Sequence, residues 1–174
     1  VSETSTREAL RFINAAVELG VDGFMLMPSL IYVADAREAM QSIRTMAEAA
    51  AKPCMIYNNP IAYKTDFSPA QIAELAQAYP NVQAVKESSG DVRRFAALRS
   101  LLGDRLELLV GMDDAIVEGV AMGATGWIAG LVNAYPKESV KLFELARDGG
   151  GKAAAELYAW FLPLLRLDTV PKFV

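Results

Sequence analysis

The residues most able to do chemistry sit in "VQAVKESSGD", residues 82–91, where an apolar run ends on a lysine, Lys86. A lysine at the end of a buried strand either reaches past it to water or is held where its ammonium is poorly hydrated. Poor hydration disfavours the charged form, and enzymes bring such lysines to a pKa of ~7–8. A neutral amine attacks a ketone to give an imine, and the protonated imine then draws electrons from the neighbouring carbon. A phenol beside it moves protons at the carbinolamine and imine stages, and "MIYNNP" offers one in Tyr57. The plain alternatives are a solvated strand-end lysine and a packed tyrosine.

Composition narrows the options. The 174 residues contain no histidine and one cysteine, Cys54. Histidine-based triads, zinc sites with His ligands and thiolate metal sites are therefore excluded. No internal disulfide is possible, which fits a reducing, cytoplasmic compartment. Cys54 lies in the apolar run "PCMIY" and reads as a small core residue. The net charge of −4 and the absence of a basic cluster argue against nucleic acid. No apolar run approaches the ~18 residues of a membrane span, and no signal sequence is read at the start.

Apolar periodicity gives the elements that must position these groups. Residues 5–20 read as a helix with Ser5 or Thr6 as N-cap, and 34–51 and 68–80 as two more, the last opened by Ser68–Pro69. Strands are expected in 21–29, 52–60, 82–89, 106–114 and 124–133, each followed by a helix. Their unbroken apolar character suits a parallel sheet covered on both faces. Such alternation builds either a doubly wound sheet or a TIM (β/α)8 barrel. No strand is followed by a glycine-rich phosphate loop, which favours the barrel. Eight units need ~250 residues, so we expect a piece of a longer barrel with about three opening strands outside this chain. Residues 1–148 read as the C-terminal part of that barrel and 149–174 as a helical extension; "DTVPKFV" reads as an interrupted helix.

In a barrel the chemistry gathers at the C-terminal strand ends. These are Pro28, Ser29 and Tyr32, then Tyr57, Asn58 and Asn59, then Lys86, Glu87 and Ser88. Gly111, Asp113 and Asp114 follow, then Ile128, Gly130 and Asn133. Tyr57 and Lys86 end consecutive strands and should be neighbours. Adjacent Asp113 and Asp114 diverge on an extended chain, so a magnesium site is not read there, and Asp114 is expected to cap the next helix. Glu87 either tunes Lys86 or pairs with Arg93 or Arg94.

The strand "MIYNNP", followed by "VQAVKESSGD", "LLVGMDD" and "GATGWIAGLVN", resembles the dihydrodipicolinate synthase/N-acetylneuraminate lyase superfamily across essentially the whole chain. The resemblance implies a Schiff-base lyase on a TIM barrel, a homotetramer acting on a pyruvate-type keto acid or imino acid without metal or organic cofactor. It implies that Lys86 forms the imine, that Tyr57 relays protons, and that Gly111 and Ile128 line the pyruvyl pocket. The family's threonine-containing carboxylate motif belongs to an early strand absent from this chain. Two departures bear on the substrate. Ala62 stands where synthases carry an arginine, and Ser29 and Leu30 stand where a relay tyrosine is expected, with Tyr32 displaced. The leading expectation is therefore a catabolic deaminase, dehydratase or aldolase, such as one acting on 1-pyrroline-4-hydroxy-2-carboxylate in hydroxyproline breakdown. The alternatives are a 4-hydroxy-tetrahydrodipicolinate synthase and a non-catalytic barrel relative.

Overall fold

In a computed structural model describing residues 1–170, five strands form one parallel sheet in chain order. They are β1 (Phe24–Leu26), β2 (Cys54–Asn58), β3 (Val82–Glu87), β4 (Glu107–Val110) and β5 (Gly126–Trp127). A doubly wound sheet reverses its strand order at a switch point. Here each strand adds to the same side of its predecessor, and right-handed crossovers then set every helix on one face. That is the wall of a barrel. The connecting helices are α1 (Thr6–Glu18), α2 (Ala36–Ala50), α3 (Pro60–Tyr63), α4 (Pro69–Ala78), α5 (Arg93–Leu102), α6 (Ile116–Ala121), α7 (Pro136–Arg147) and α8 (Gly151–Leu165).

Local chemistry sets the helix ends. Ser5 caps α1 by accepting the Glu8 N–H, and Asp35 caps α2 by accepting that of Glu38 at 2.8 Å. Ser68 and Gln71 form a reciprocal capping box around Pro69 at the start of α4. Asp114 does not cap α6, contrary to expectation. It lies inside a 3-10 turn, Asp113–Ala115, and no side chain caps the helix behind it.

Burial alternates along the strands. Leu26, Ile56, Val85, Leu108 and Val110 are 0–1% exposed against the helices, while Met55, Tyr57, Ala84, Lys86 and Leu109 on the other face are half-buried. The strands are thus sealed on one face and partly open on the face that carries Tyr57 and Lys86, a difference from the two covered faces expected. Cys54 is buried among the core residues, and burial pushes its thiol up to about 11, which keeps it protonated and inert.

The expected strand over 124–133 shrinks to Gly126–Trp127. After Ile128 the chain turns into a 3-10 segment, Leu131–Asn133, because the buried Asp113 carboxylate accepts the N–H groups of Gly130 and Leu131. Helix α8 packs on α7 with Phe161 and Leu165 fully buried, and a 3-10 turn, Arg166–Thr169, follows it. Residues 171–174, the end of the "DTVPKFV" reading and of the helical extension, lie outside the described residues. No helix among the described residues is long and apolar enough to cross a membrane.

Removing the capping box should be felt at equilibrium. We expect Ser68→Ala to cost about 1 kcal/mol, read as a lower urea midpoint at unchanged slope; an unchanged midpoint would show that the box contributes nothing.

Candidate active site

Strands β2 and β3 pair so that Tyr57 lies opposite Lys86 and Asn58 opposite Glu87. Because side chains alternate across a strand, Tyr57 and Lys86 share one face and Asn58 and Glu87 the other. Lys86 Nζ stands 4.1 Å from the centroid of the Tyr57 ring. Both side chains are half-buried and line a cavity of about 640 Å³ at the C-terminal strand ends. Gly111 and Ile128 line the same cavity. The four residues singled out from the sequence therefore meet at one place.

Gly111 is there because nothing larger fits. A Cβ at this position would lie 1.9 Å from Ser88 Oγ and 2.9 Å from Lys86 Cε. Ile128 is held by its N–H to the Val110 carbonyl at 3.0 Å, just past the end of β5. Burial alone would push the Tyr57 phenol up. Donation from the Asn59 amide at 3.1 Å, the charge of Lys86, and the nearby Tyr63 and Ser88 hydroxyls outweigh it and leave the phenol below its ordinary value.

The other face carries the support. Asn58 is fully buried; its amide donates to Glu87 Oε2 and to Asp66 Oδ1, both at 3.0 Å, and its carbonyl accepts the Phe67 N–H at 2.9 Å. Glu87 accepts the Ser89 N–H at 2.7 Å and faces Arg94 at 3.6 Å. Arg94, with Asp66 as its closer partner, is thus the arginine that meets Glu87; Arg93 pairs with Asp91 instead. Burial raises the Glu87 pKa more than the Asn58, Ser89 and Arg94 contacts lower it. Asp66, less buried and bound by Arg94 and Asn58, stays below the usual carboxylate range.

Some strand-end residues do not join the cavity. Ser29 and Tyr32 line a separate groove between α1 and α2. Asp113 is buried and ties the chain after β5 to the β4 end, with its pKa raised chiefly by burial. Among the described residues, no cluster of three or more Cys, Asp or Glu side chains is placed to hold a metal ion. Sequence reasoning missed Tyr63, Asp168 and Thr169, which also line the cavity. Tyr63 lies just beyond "YNNP" on a helix too short for periodicity to announce. Asp168 and Thr169 come from the far end of the chain, and no local pattern points to them.

A family model described as the dihydrodipicolinate synthetase family matches residues 1–171. The 4-hydroxy-tetrahydrodipicolinate synthase of Methanospirillum hungatei JF-1 is 31% identical over 163 residues, which are 93% of this chain and 55% of that protein. That of Nitrosococcus oceani is 32% identical over 161 residues, 92% and 54%. The chain thus spans about half the length of the curated relatives it matches. A dihydrodipicolinate synthase structure from Aquifex aeolicus superposes with a TM-score of 0.89 at 26% identity, over 96% of this chain and 57% of that one. The chloride-inhibited enzyme from Acinetobacter baumannii, complexed with pyruvate, gives 0.88 at 28% identity, over 97% and 58%.

The raised Glu87 pKa carries a signed expectation. A carboxyl whose folded pKa exceeds its unfolded value loses stabilising weight as pH rises through the folded pKa. The stability of wild type relative to Glu87→Gln should therefore fall as pH climbs from the unfolded Glu value of ~4.3 towards neutrality. Parallel denaturation midpoints across that window would contradict it.

Proposed function

The chain belongs to the dihydrodipicolinate synthetase family, whose model matches residues 1–171, and from that premise we propose that its protein is a Schiff-base lyase in which Lys86 binds a pyruvate-type 2-keto acid. The observation that carries this is Lys86 Nζ, 4.1 Å from the Tyr57 ring, with both side chains lining one cavity at the strand ends. The Lys86 amine attacks the keto carbon. The carbinolamine hydroxyl leaves as water with the Tyr57 proton, giving an iminium on Lys86 and a phenolate on Tyr57. That phenolate is placed to take a proton from the carbon next to the iminium. Gly111 leaves room for the lysine stem, and Ile128 gives the pocket an apolar wall.

The curated relatives are named as 4-hydroxy-tetrahydrodipicolinate synthases. They support synthase chemistry better than the hydroxyproline-type deaminase expected from the sequence. One observation favours the deaminase as a second reading. Ala62 lines the cavity, and Lys86 is the one cation among its described lining residues. A substrate with a single carboxylate then needs no further positive charge. The homotetramer implied by the resemblance stays a proposal; the run of exposed apolar residues Leu30, Ile31, Tyr32 and Val33 supports a self-contact.

We expect the intact protein, treated with pyruvate and borohydride, to gain the mass of one reduced pyruvyl group on the peptide bearing Lys86. Lys86→Ala should abolish both adduct and turnover while remaining folded; residual turnover in it would sink the mechanism. Tyr57→Phe should slow trapping by roughly 10²-fold or more, and an unchanged rate would remove the phenol from the relay. Condensation of the pyruvyl adduct with a second substrate, against ammonia release from the hydroxy-pyrroline acid, separates the two readings.

A further inference from the structure

A second phenol stands beside the first. Tyr63 is the last residue of α3, and its ring meets the Tyr57 ring edge-on, with centroids 5.6 Å apart and an angle of 89° between planes. Both line the cavity that holds Lys86. The placement is built in. Asn59 Oδ1 accepts the Ala62 N–H at 3.1 Å and caps α3, while the Nδ2 of the same amide donates to the Tyr57 oxygen at 3.1 Å. One side chain thus fixes the turn that carries Tyr63 and the phenol that Tyr63 faces. Lys64 closes the turn in the left-handed region at φ 61°, its N–H donating to the Pro60 carbonyl and its ammonium to that of Ile61.

The two phenols are unequal. Burial, then the charge and the nearby hydroxyl of Tyr57, push Tyr63 up to about 12, whereas Tyr57 lies below its ordinary value. A proton between the two oxygens therefore rests on Tyr63, which remains a donor, and Tyr57 is the one that ionises. The titratable groups facing Tyr57 are Lys86 from β3 and Tyr63 from α3; Asp168, from the 3-10 turn after α8, lines the same cavity.

We infer that Tyr63 is a positioning residue for imine formation: its hydroxyl, carried beside Tyr57 by the edge-on ring contact, donates to the Tyr57 oxygen once Tyr57 gives up its proton and holds the phenolate that is left. The inference rests on the Lys86–Tyr57 reading above. When the carbinolamine collapses, its C–O bond breaks and the hydroxyl departs as water with the Tyr57 proton. The nitrogen lone pair closes the C=N bond, so the positive iminium and negative phenolate appear together and charge balances. Tyr63 keeps its own proton throughout. Its hydrogen bond is made to the phenolate and is charge-assisted, about twice as strong as one between neutral groups. An interaction gained in the transition state and absent from the substrate complex raises kcat and leaves KM alone.

The test uses the intact protein and follows borohydride trapping with pyruvate, from about pH 6 to about pH 10 so as to span phenol ionisation, in wild type, Tyr57→Phe and Tyr63→Phe. Phenylalanine at 63 keeps the ring contact and removes the hydroxyl alone. We expect its saturated trapping rate to fall roughly tenfold or more, with the pyruvate concentration for half-saturation within about twofold. The limb that follows Tyr57 ionisation should move to higher pH, since losing a donor raises that phenol. A Tyr63→Phe protein with wild-type rate and limb overturns the inference, and so does one whose half-saturation rises in step with the lost rate while the limb stays put. Failure of the wild type to trap, or a Tyr57→Phe rate equal to wild type, overturns the Lys86–Tyr57 reading and this inference with it. A slow Tyr57→Phe beside an unaffected Tyr63→Phe overturns this inference alone.

Discussion

The bond from the Asn58 amide to the Glu87 carboxylate, hidden behind the sheet, is the contact on which the site depends. It joins the ends of β2 and β3 at 3.0 Å in full burial. Because side chains alternate with a period of two, fixing residues 58 and 87 on the covered face obliges residues 57 and 86 to face the cavity side by side. A slip of one residue in either strand would leave a buried amide or carboxylate unpartnered, at a cost of about 1–3 kcal/mol or more per group. It would also turn the lysine into the helix layer. The same Asn58 side chain holds Asp66 and the Phe67 N–H, so the chain leaving α3 is tied to the point that sets the register.

Charge behind the sheet is arranged unevenly. Arg94 is shared between Asp66, partly exposed and firmly ionised, and Glu87, nearly dry and held at a raised pKa. A buried carboxylate left alone would be costly, and one arginine with several N–H donors lowers that cost without removing it. On the cavity face the pattern is reversed. There a cation meets an aromatic face, and beside the Asp168 carboxylate stand two phenols, which can take up and release protons, and the Asn59 amide, which donates to one of them.

Much of this was legible before any coordinates. Short apolar runs separated by amphipathic segments gave the parallel order, and the ends of two such runs gave Tyr57 and Lys86 as neighbours. The caps at Ser5 and Ser68 were readable because capping chemistry is local. What escaped was set by contacts distant in sequence or by elements too short to repeat. Asp113 rather than Asp114 is the structural acid of its pair, because its partners, Gly130 and Leu131, lie 17 and 18 residues away. The four residues of α3 carry no periodicity, so nothing in the sequence sets Tyr63 apart. The last expected strand looked continuous because its apolar run goes on after the backbone has turned aside.

The missing side chain at Gly111 has a thermodynamic reach beyond fit. A lysine free in solvent holds ~2 kcal/mol of rotamer entropy, which any reaction requiring one conformer must overcome. Here the stem of Lys86 runs so close to the Gly111 backbone that a Cβ there would come within 2.9–3.0 Å of its Cγ and Cε, and its tip meets the Tyr57 ring. Much of that freedom is therefore surrendered when the chain folds. In the imine chemistry proposed for Lys86, the disorder lost on bonding to a substrate is correspondingly smaller, and the absence of one methyl group makes that possible.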